Sequence, residues 1–237
     1  MSVETGGLPK GFVGAGIAAG IKSSGAKDLA LIINRGPQRF GTAVFTSNQV
    51  VAAPVVWSRQ VVKDGAVSAV VLNSGGANAC TGPEGFSDAH KTAELVAELN
   101  GFSASDTVVC STGLIGVRLP MEKISLGVHK ASNELTEGSL RSIAEAIMTT
   151  DSKPKISTLN HNQVVFAGVA KGAGMLAPAL ATMLSVVMTD AVVNEVEAKQ
   201  CLAEAVEKSF NRIDSDGCTS TNDTVLFMAS GASGVNL

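Results

Sequence analysis

Short apolar runs, each bounded by turn-forming residues, recur at positions 29–34, 42–46, 67–72, 107–110, 164–170, 182–188 and 224–229. Their apolarity is nearly continuous, as in Ser68-Ala69-Val70-Val71-Leu72, which predicts strands covered on both faces. Sheets of that kind need partners above and below, and helical patterns supply them. Ser87 is placed to cap a helix to Asn100, with Ala89, Ala93, Val96 and Leu99 on one face and Gly101 just beyond its end. Leu140, Ile143, Ala144 and Ile147 repeat at helical spacing, and Asn194 with Glu197 forms a capping-box pattern ahead of Val196, Leu202, Ala205 and Val206. A further helix is expected to begin at Pro120. The expected fold class is α+β, a layered sandwich of sheets covered by helices.

Charged residues are only 16% of the chain, against about 25% in an average domain. Hydrophobic residues reach 45%. Thin polar cover over a small-aliphatic core excludes disorder and suggests subunit contacts. A net charge of −3 gives no reason to expect nucleic acid or an anionic membrane as partner. The 237 residues suffice for one large domain or two small ones. Cys80, Cys110, Cys201 and Cys218 lack metal-ligand spacing and are expected to be buried free thiols. Gly11, Gly14, Gly16 and Gly20 interrupt the N-terminal region, so no signal peptide is expected and the cytoplasm is the expected compartment. The apolar stretch 175–193 contains Pro178, Thr182, Ser185, Thr189 and Asp190, which fits buried strand better than a membrane span.

Several motifs fail on their context. Gly14-Ala15-Gly16-Ile17-Ala18-Ala19 has the glycine spacing of a dinucleotide loop, but no strand is expected ahead of it and Asp28 comes too early. Asp214-Ser215-Asp216-Gly217 opens like a calcium loop, yet Thr219 stands where glycine is needed and Val225 where glutamate is needed. No metal or cofactor is therefore expected. His90, His129 and His161 are far apart in sequence, and none lies beside a serine or cysteine in a recognisable motif. A serine or cysteine nucleophile would have no evident base.

The stretch from Lys171-Gly172-Ala173-Gly174 to Ala181-Thr182-Met183-Leu184 is a glycine- and proline-broken loop running into an apolar strand. A threonine opening a buried strand is ordinarily a packing residue. The chemical alternative makes Thr182 an N-terminus: its hydroxyl attacks the carbonyl of Ala181, and water resolves the resulting ester. The freed α-amino group, with an intrinsic pKa of about 7.7–8.0, can then act as base for the adjacent hydroxyl, so no histidine is required. Ala181 is small and offers little obstruction.

These residues resemble the core of the ornithine acetyltransferases, the ArgJ family, and the resemblance extends along the chain. Phe45-Thr46-Ser47-Asn48, Asn73-Ser74-Gly75-Gly76-Ala77-Asn78-Ala79-Cys80-Thr81-Gly82, Ser111-Thr112-Gly113-Leu114-Ile115-Gly116, Thr149-Thr150-Asp151 and Ser220-Thr221-Asn222-Asp223-Thr224 occur in that family's order. The resemblance implies a self-cleaving N-terminal-nucleophile fold of the ArgJ/DmpA kind. Cleavage between Ala181 and Thr182 would give an α chain, 1–181, and the start of a β chain, 182–237. Thr182 would be the nucleophile, Thr112 and Gly113 the oxyanion hole, and Thr149, Lys171 and Thr182 the substrate contacts. The implied reaction is ping-pong acetyl transfer from N2-acetylornithine to glutamate, with acetyl-CoA a second donor in some members. The implied assembly is an α2β2 heterotetramer.

Two departures stand out. The family commonly reads Gly-Asn-Ala-Asn where this chain has Gly75-Gly76-Ala77-Asn78, and the stretch 214–219 is a variable version of its counterpart. The run at 224–229 leads into Ser230-Gly231-Ala232-Ser233-Gly234 and stops at Leu237, which raises the expectation of a C-terminally truncated β chain. Two alternatives stay open at this point: an amidase or aminopeptidase of the related self-cleaving group, in which water resolves the acyl-Thr182, and an inactive fragment.

Overall fold

The computed structural model describes residues 7–174, 183–213 and 218–237. Among these, the apolar runs form two sheets. The first joins β1 (Phe12–Ile17), β2 (Leu29–Asn34), β4 (Ala69–Gly76) and β5 (Thr107–Leu114), in that spatial order. The second comprises β3 (Phe40–Phe45), β6 (Lys155–His161), β7 (Val164–Lys171), β8 (Leu184–Thr189) and β9 (Thr224–Ala229), ordered β3-β9-β8-β7-β6. Pairing is antiparallel except between β4 and β5 and between β8 and β9. The helices are α1 (Ala53–Val61), α2 (Gly82–Asn100), α3 (Met121–Asn133), α4 (Leu140–Ile147) and α5 (Glu195–Lys208).

Side-chain alternation explains why the strands read as continuous apolar runs. Ala30, Ile32, Val70, Leu72 and Val108 point from the first sheet toward Val169, Val186, Met188 and Leu226 of the second. The intervening residues, Leu29, Leu31, Ala69, Val71 and Val109, pack instead against Ala89, Ala93 and Val96 of α2 and Ile124 and Val128 of α3. On the far side, Leu202 and Val206 of α5 cover Val225 and Phe227 of β9. The result is helix, sheet, sheet, helix, an α+β sandwich as expected. Leu140, Ile143 and Ile147 of α4 enter the core between the sheets.

Two strands and one helix escape the apolar-run reading. In β1, Gly14 and Gly16 look like loop residues but are packing residues. A Cβ on Gly16 would lie 2.0 Å from the carbonyl oxygen of Ser142, and one on Gly14 would lie 2.8 Å from Cδ1 of Ile143, so α4 can approach only a bare strand. The GxGxxA spacing is therefore a close-packing device. β6 lies at the sheet edge with mostly exposed residues and shows no apolar run. α1 opens with Pro54 in its first turn and carries valines at 55, 56 and 61, a composition that hides its periodicity.

Other boundaries shift. α2 begins at Gly82 rather than Ser87, with Thr81 at the cap position and Pro83 in the first turn, and ends on left-handed Gly101. Pro120 takes the cap position of α3. Asn194 Oδ1 caps α5 by accepting the N–H groups of Val196 and Glu197 at 2.9 and 3.2 Å. Only Cys110 is buried as expected; Cys80, Cys201 and Cys218 are exposed, because they sit in a loop, on the outer helix α5 and in a second loop. Among the described residues no helix is long and apolar enough to cross a membrane.

Candidate functional site

The ends of four strands converge where the sheets face each other. Lys171 closes β7 and pairs with Leu184 at the start of β8, which in turn pairs with Thr224 at the start of β9. Thr112 approaches from the other sheet, near the end of β5. Lys171 Nζ donates to Thr112 Oγ1 at 3.0 Å, and the two residues are 2% and 1% exposed. Burial pushes the Lys171 ammonium down to about 8, against the opposing pull of Asp151 and Asp223. A hydroxyl that accepts from an ammonium keeps its own proton to donate elsewhere, so Thr112 is poised as a donor.

Gly113, the next residue, is exposed and has φ +132°. A Cβ there would fall 2.5 Å from the carbonyl carbon of Gly75, so the turn admits only glycine. Ser111 Oγ donates to Asn73 Oδ1 at 2.6 Å, and Asn73 Nδ2 donates to the Gly76 carbonyl at 2.9 Å, which fixes the neighbouring strand end. At Gly76 a Cβ would meet Leu119 Cδ2 at 2.7 Å. The end of that leucine would have to move to admit a side chain.

Asp223 immediately precedes β9 and is fully buried. Its Oδ1 accepts the N–H of Met183 at 2.8 Å, while the Met183 carbonyl accepts from the N–H of Thr224 at 3.0 Å. Residue 183 is thus held on both sides. Oδ2 of Asp223 is buried without a hydrogen-bond partner among the described residues. Burial pushes this carboxyl up to about 7, opposed by hydrogen bonding from Met183 and Ser220 and by the Lys171 charge.

Thr149 lies exposed just past α4. Its N–H donates to Asp151 Oδ2 at 3.1 Å, and Asp151 Oδ1 accepts the N–H of Gly172 at 2.8 Å and pairs with Lys155. Burial would raise the Asp151 carboxyl, but Lys155 and the two backbone N–H groups outweigh it and hold it below the usual carboxylate range. Asp151 therefore ties Thr149 to the residue that follows Lys171.

Of the expected site residues, the structure brings Lys171 and Thr112 into contact, sets Gly113 at the same strand end and connects Thr149 through Asp151. Ala181 and Thr182 lie outside the described residues. Asp151 and Asp223 belong to motifs visible in the sequence but carried no expected role. The available signal was an acid set directly against an apolar run, Asp223 before Thr224-Val225-Leu226, since acids in such positions are buried only with partners. The histidines stay apart: His90 stacks on Trp57 at 4.8 Å, His161 contacts Asn162, and His129 is exposed on α3. A cavity of about 360 Å³ adjoins Thr149. A larger apolar one, about 420 Å³, lies under α5 and shares no residue with this cluster.

A family model described as the ArgJ family matches residues 14–236. The arginine biosynthesis bifunctional protein ArgJ of Streptomyces coelicolor is 57% identical over 226 residues, which is 95% of this chain and 59% of that protein. The chain thus spans under two thirds of that relative's length. Among solved structures, ornithine acetyltransferase from Mycobacterium tuberculosis, complexed with ornithine, superposes with a TM-score of 0.72 at 49% identity, over 77% of this chain and 98% of that one. The L-aminopeptidase D-Ala-esterase/amidase of Ochrobactrum anthropi, described as a variant of the Ntn-hydrolase fold, shares the fold at 11% identity, with a TM-score of 0.57 and coverage of 95% of this chain and 74% of that one.

Proposed function

Because the chain belongs to the ArgJ family, we propose that it serves arginine biosynthesis as an acetyltransferase moving the acetyl group of N2-acetylornithine to glutamate through an ester on Thr182. The observation that carries this reading is the buried Lys171–Thr112 contact beside the doubly held Met183. It supports the reading because the hydroxyl donor is held by Lys171, the strand partner of Leu184, two residues after Thr182 in the chain.

In the first half-reaction Thr182 Oγ attacks the acetyl carbonyl and its α-amino group takes the hydroxyl proton. The Thr112 hydroxyl and the Gly113 N–H stabilise the oxyanion. Collapse breaks the C–N bond, the proton passes to the leaving amine, and ornithine departs. In the second half the glutamate amine attacks the acetyl ester, giving N-acetylglutamate and free Thr182. The Mycobacterium tuberculosis relative was solved with ornithine, which suits the first product.

The same reading requires cleavage between Ala181 and Thr182, into 1–181 and a chain beginning at Thr182. One length supports it. The matched Mycobacterium tuberculosis chain is almost wholly covered by 77% of these 237 residues, about 182, close to the length of the segment ahead of Thr182. Intact-mass measurement tests the cleavage: the wild-type chain yields a species beginning at Thr182, and Thr182→Ala yields none. An uncleaved wild-type chain that still transfers acetyl groups contradicts the mechanism. N-acetylglutamate formed from acetyl-CoA without acetylornithine separates a two-donor enzyme from a single-donor one. An α2β2 assembly is the proposed oligomer, readable by sedimentation.

A further inference from the structure

The cavity beside Thr149 is also lined by Lys22, Lys27, Glu145 and Met148, and its charges do not balance. Glu145 is already paired with Lys27 at 2.8 Å and Arg141 at 3.0 Å. Lys22 Nζ donates to two neutral carbonyls, Met148 at 2.7 Å and Lys27 at 2.8 Å, and no carboxylate among the described residues lies within ion-pairing distance of it. An ammonium has three N–H bonds, so among the described residues one Lys22 donor is left without an acceptor and no carboxylate touches its charge. Burial lowers the Lys22 pKa, against the longer-range pull of Asp28 and Asp151.

The loop carrying this lysine is anchored. Asp28 is fully buried, and its oxygens accept the N–H groups of Ala19 at 2.6 Å and Lys22 at 2.9 Å. Ile21 and Lys22 pack over Gly75, where a Cβ would meet Ile21 Cγ2 at 2.9 Å and Lys22 Cγ at 3.5 Å. Gly75 is the residue that crowds Gly113. Lys22 therefore spans from the candidate oxyanion turn to the Met148 carbonyl, next to Thr149, and lines the cavity with both residues.

We infer that Lys22 is a specificity-determining residue whose ammonium binds the carboxylate of the N-acylated amino-acid substrate in the cavity beside Thr149. This rests on the acetyltransferase reading above. The bland alternative is that Lys22 only staples its loop to the end of α4 through the two carbonyls.

Two substrates separate these roles: N2-acetylornithine, and N-acetylputrescine, the same molecule without its carboxylate. Loss of one charge-assisted hydrogen bond predicts that Lys22→Met lowers kcat/KM for acetylornithine by about 10–100-fold, chiefly through KM. Acetylputrescine turnover stays at the wild-type level, and Lys22→Arg recovers part of the acetylornithine activity. An equal fall with both substrates, or no change with either, overturns the inference while leaving the acetyltransferase reading intact. Failure of the wild-type protein to consume acetylornithine overturns that reading and the inference with it.

Discussion

Lys171 and Asp223 are both buried, and burial moves them toward each other, the lysine down to about 8 and the aspartate up to about 7. The proposed chemistry uses the lysine charged, donating to Thr112, and the aspartate ionised, accepting from Met183. Activity is therefore expected to follow a narrow bell, with apparent values near 7 and 8 that belong to the coupled pair. A pH–rate profile checks it; because the Thr182 α-amino group must also be neutral to act as base, Asp223→Asn should change the shape of the acid limb without removing it. Stability should run the other way. Asp223 binds its proton more tightly folded than unfolded, so its contribution is full below the ordinary value of 3.8 and is lost as pH rises through about 7. Lys171 holds its proton less tightly when folded, so stability recovers as pH rises from about 8 toward 10.5. Denaturant melts across pH should show the minimum between these values, and Asp223→Asn should abolish the acid-side fall. Thr112→Val removes one oxyanion donor and should lower kcat by about 10²–10³-fold with the fold unchanged, read by steady-state kinetics and circular dichroism.

Among the elements, those whose burial shows as composition were legible in the sequence. β2 and residues 69–72 of β4 are covered on both faces and read as apolar runs; α4 and α5 keep their helical spacing and, in α5, a capping asparagine. Elements shaped by a neighbour were not legible. Gly14 and Gly16 stand in β1 because α4 presses on that strand, a long-range fact that the local sequence presents as a loop. Gly16→Ala tests this: the added methyl should cost about 1–3 kcal/mol by overpacking, read as a lower denaturation midpoint at unchanged m. The candidate site divides the same way. Lys171, Thr112, Gly113 and Asp151 all lie in motifs visible in the sequence, but the part Asp151 plays, gathering N–H groups from two segments, is one that no spacing shows.

At the scale of the molecule, cleavage at Ala181–Thr182 would divide the chain but not the fold. The second sheet takes β3, β6 and β7 from before the cut and β8 and β9 from after it. β9 pairs with β3 and β8 pairs with β7, so main-chain hydrogen bonds cross between the two pieces on both sides. The pieces should co-elute under native conditions and separate only in denaturant, as size-exclusion chromatography followed by mass analysis would show. The low share of charged residues fits a body whose strands are nearly all covered by helices or by the facing sheet. Both half-reactions pass through the acetyl ester on Thr182. Its most direct test is to mix the protein with N2-acetylornithine, quench in acid and map the peptides by mass. One added acetyl group is expected on the peptide beginning with Thr182, removed when glutamate is supplied. An acetyl group found elsewhere, or turnover with Thr182 never acetylated, would contradict it.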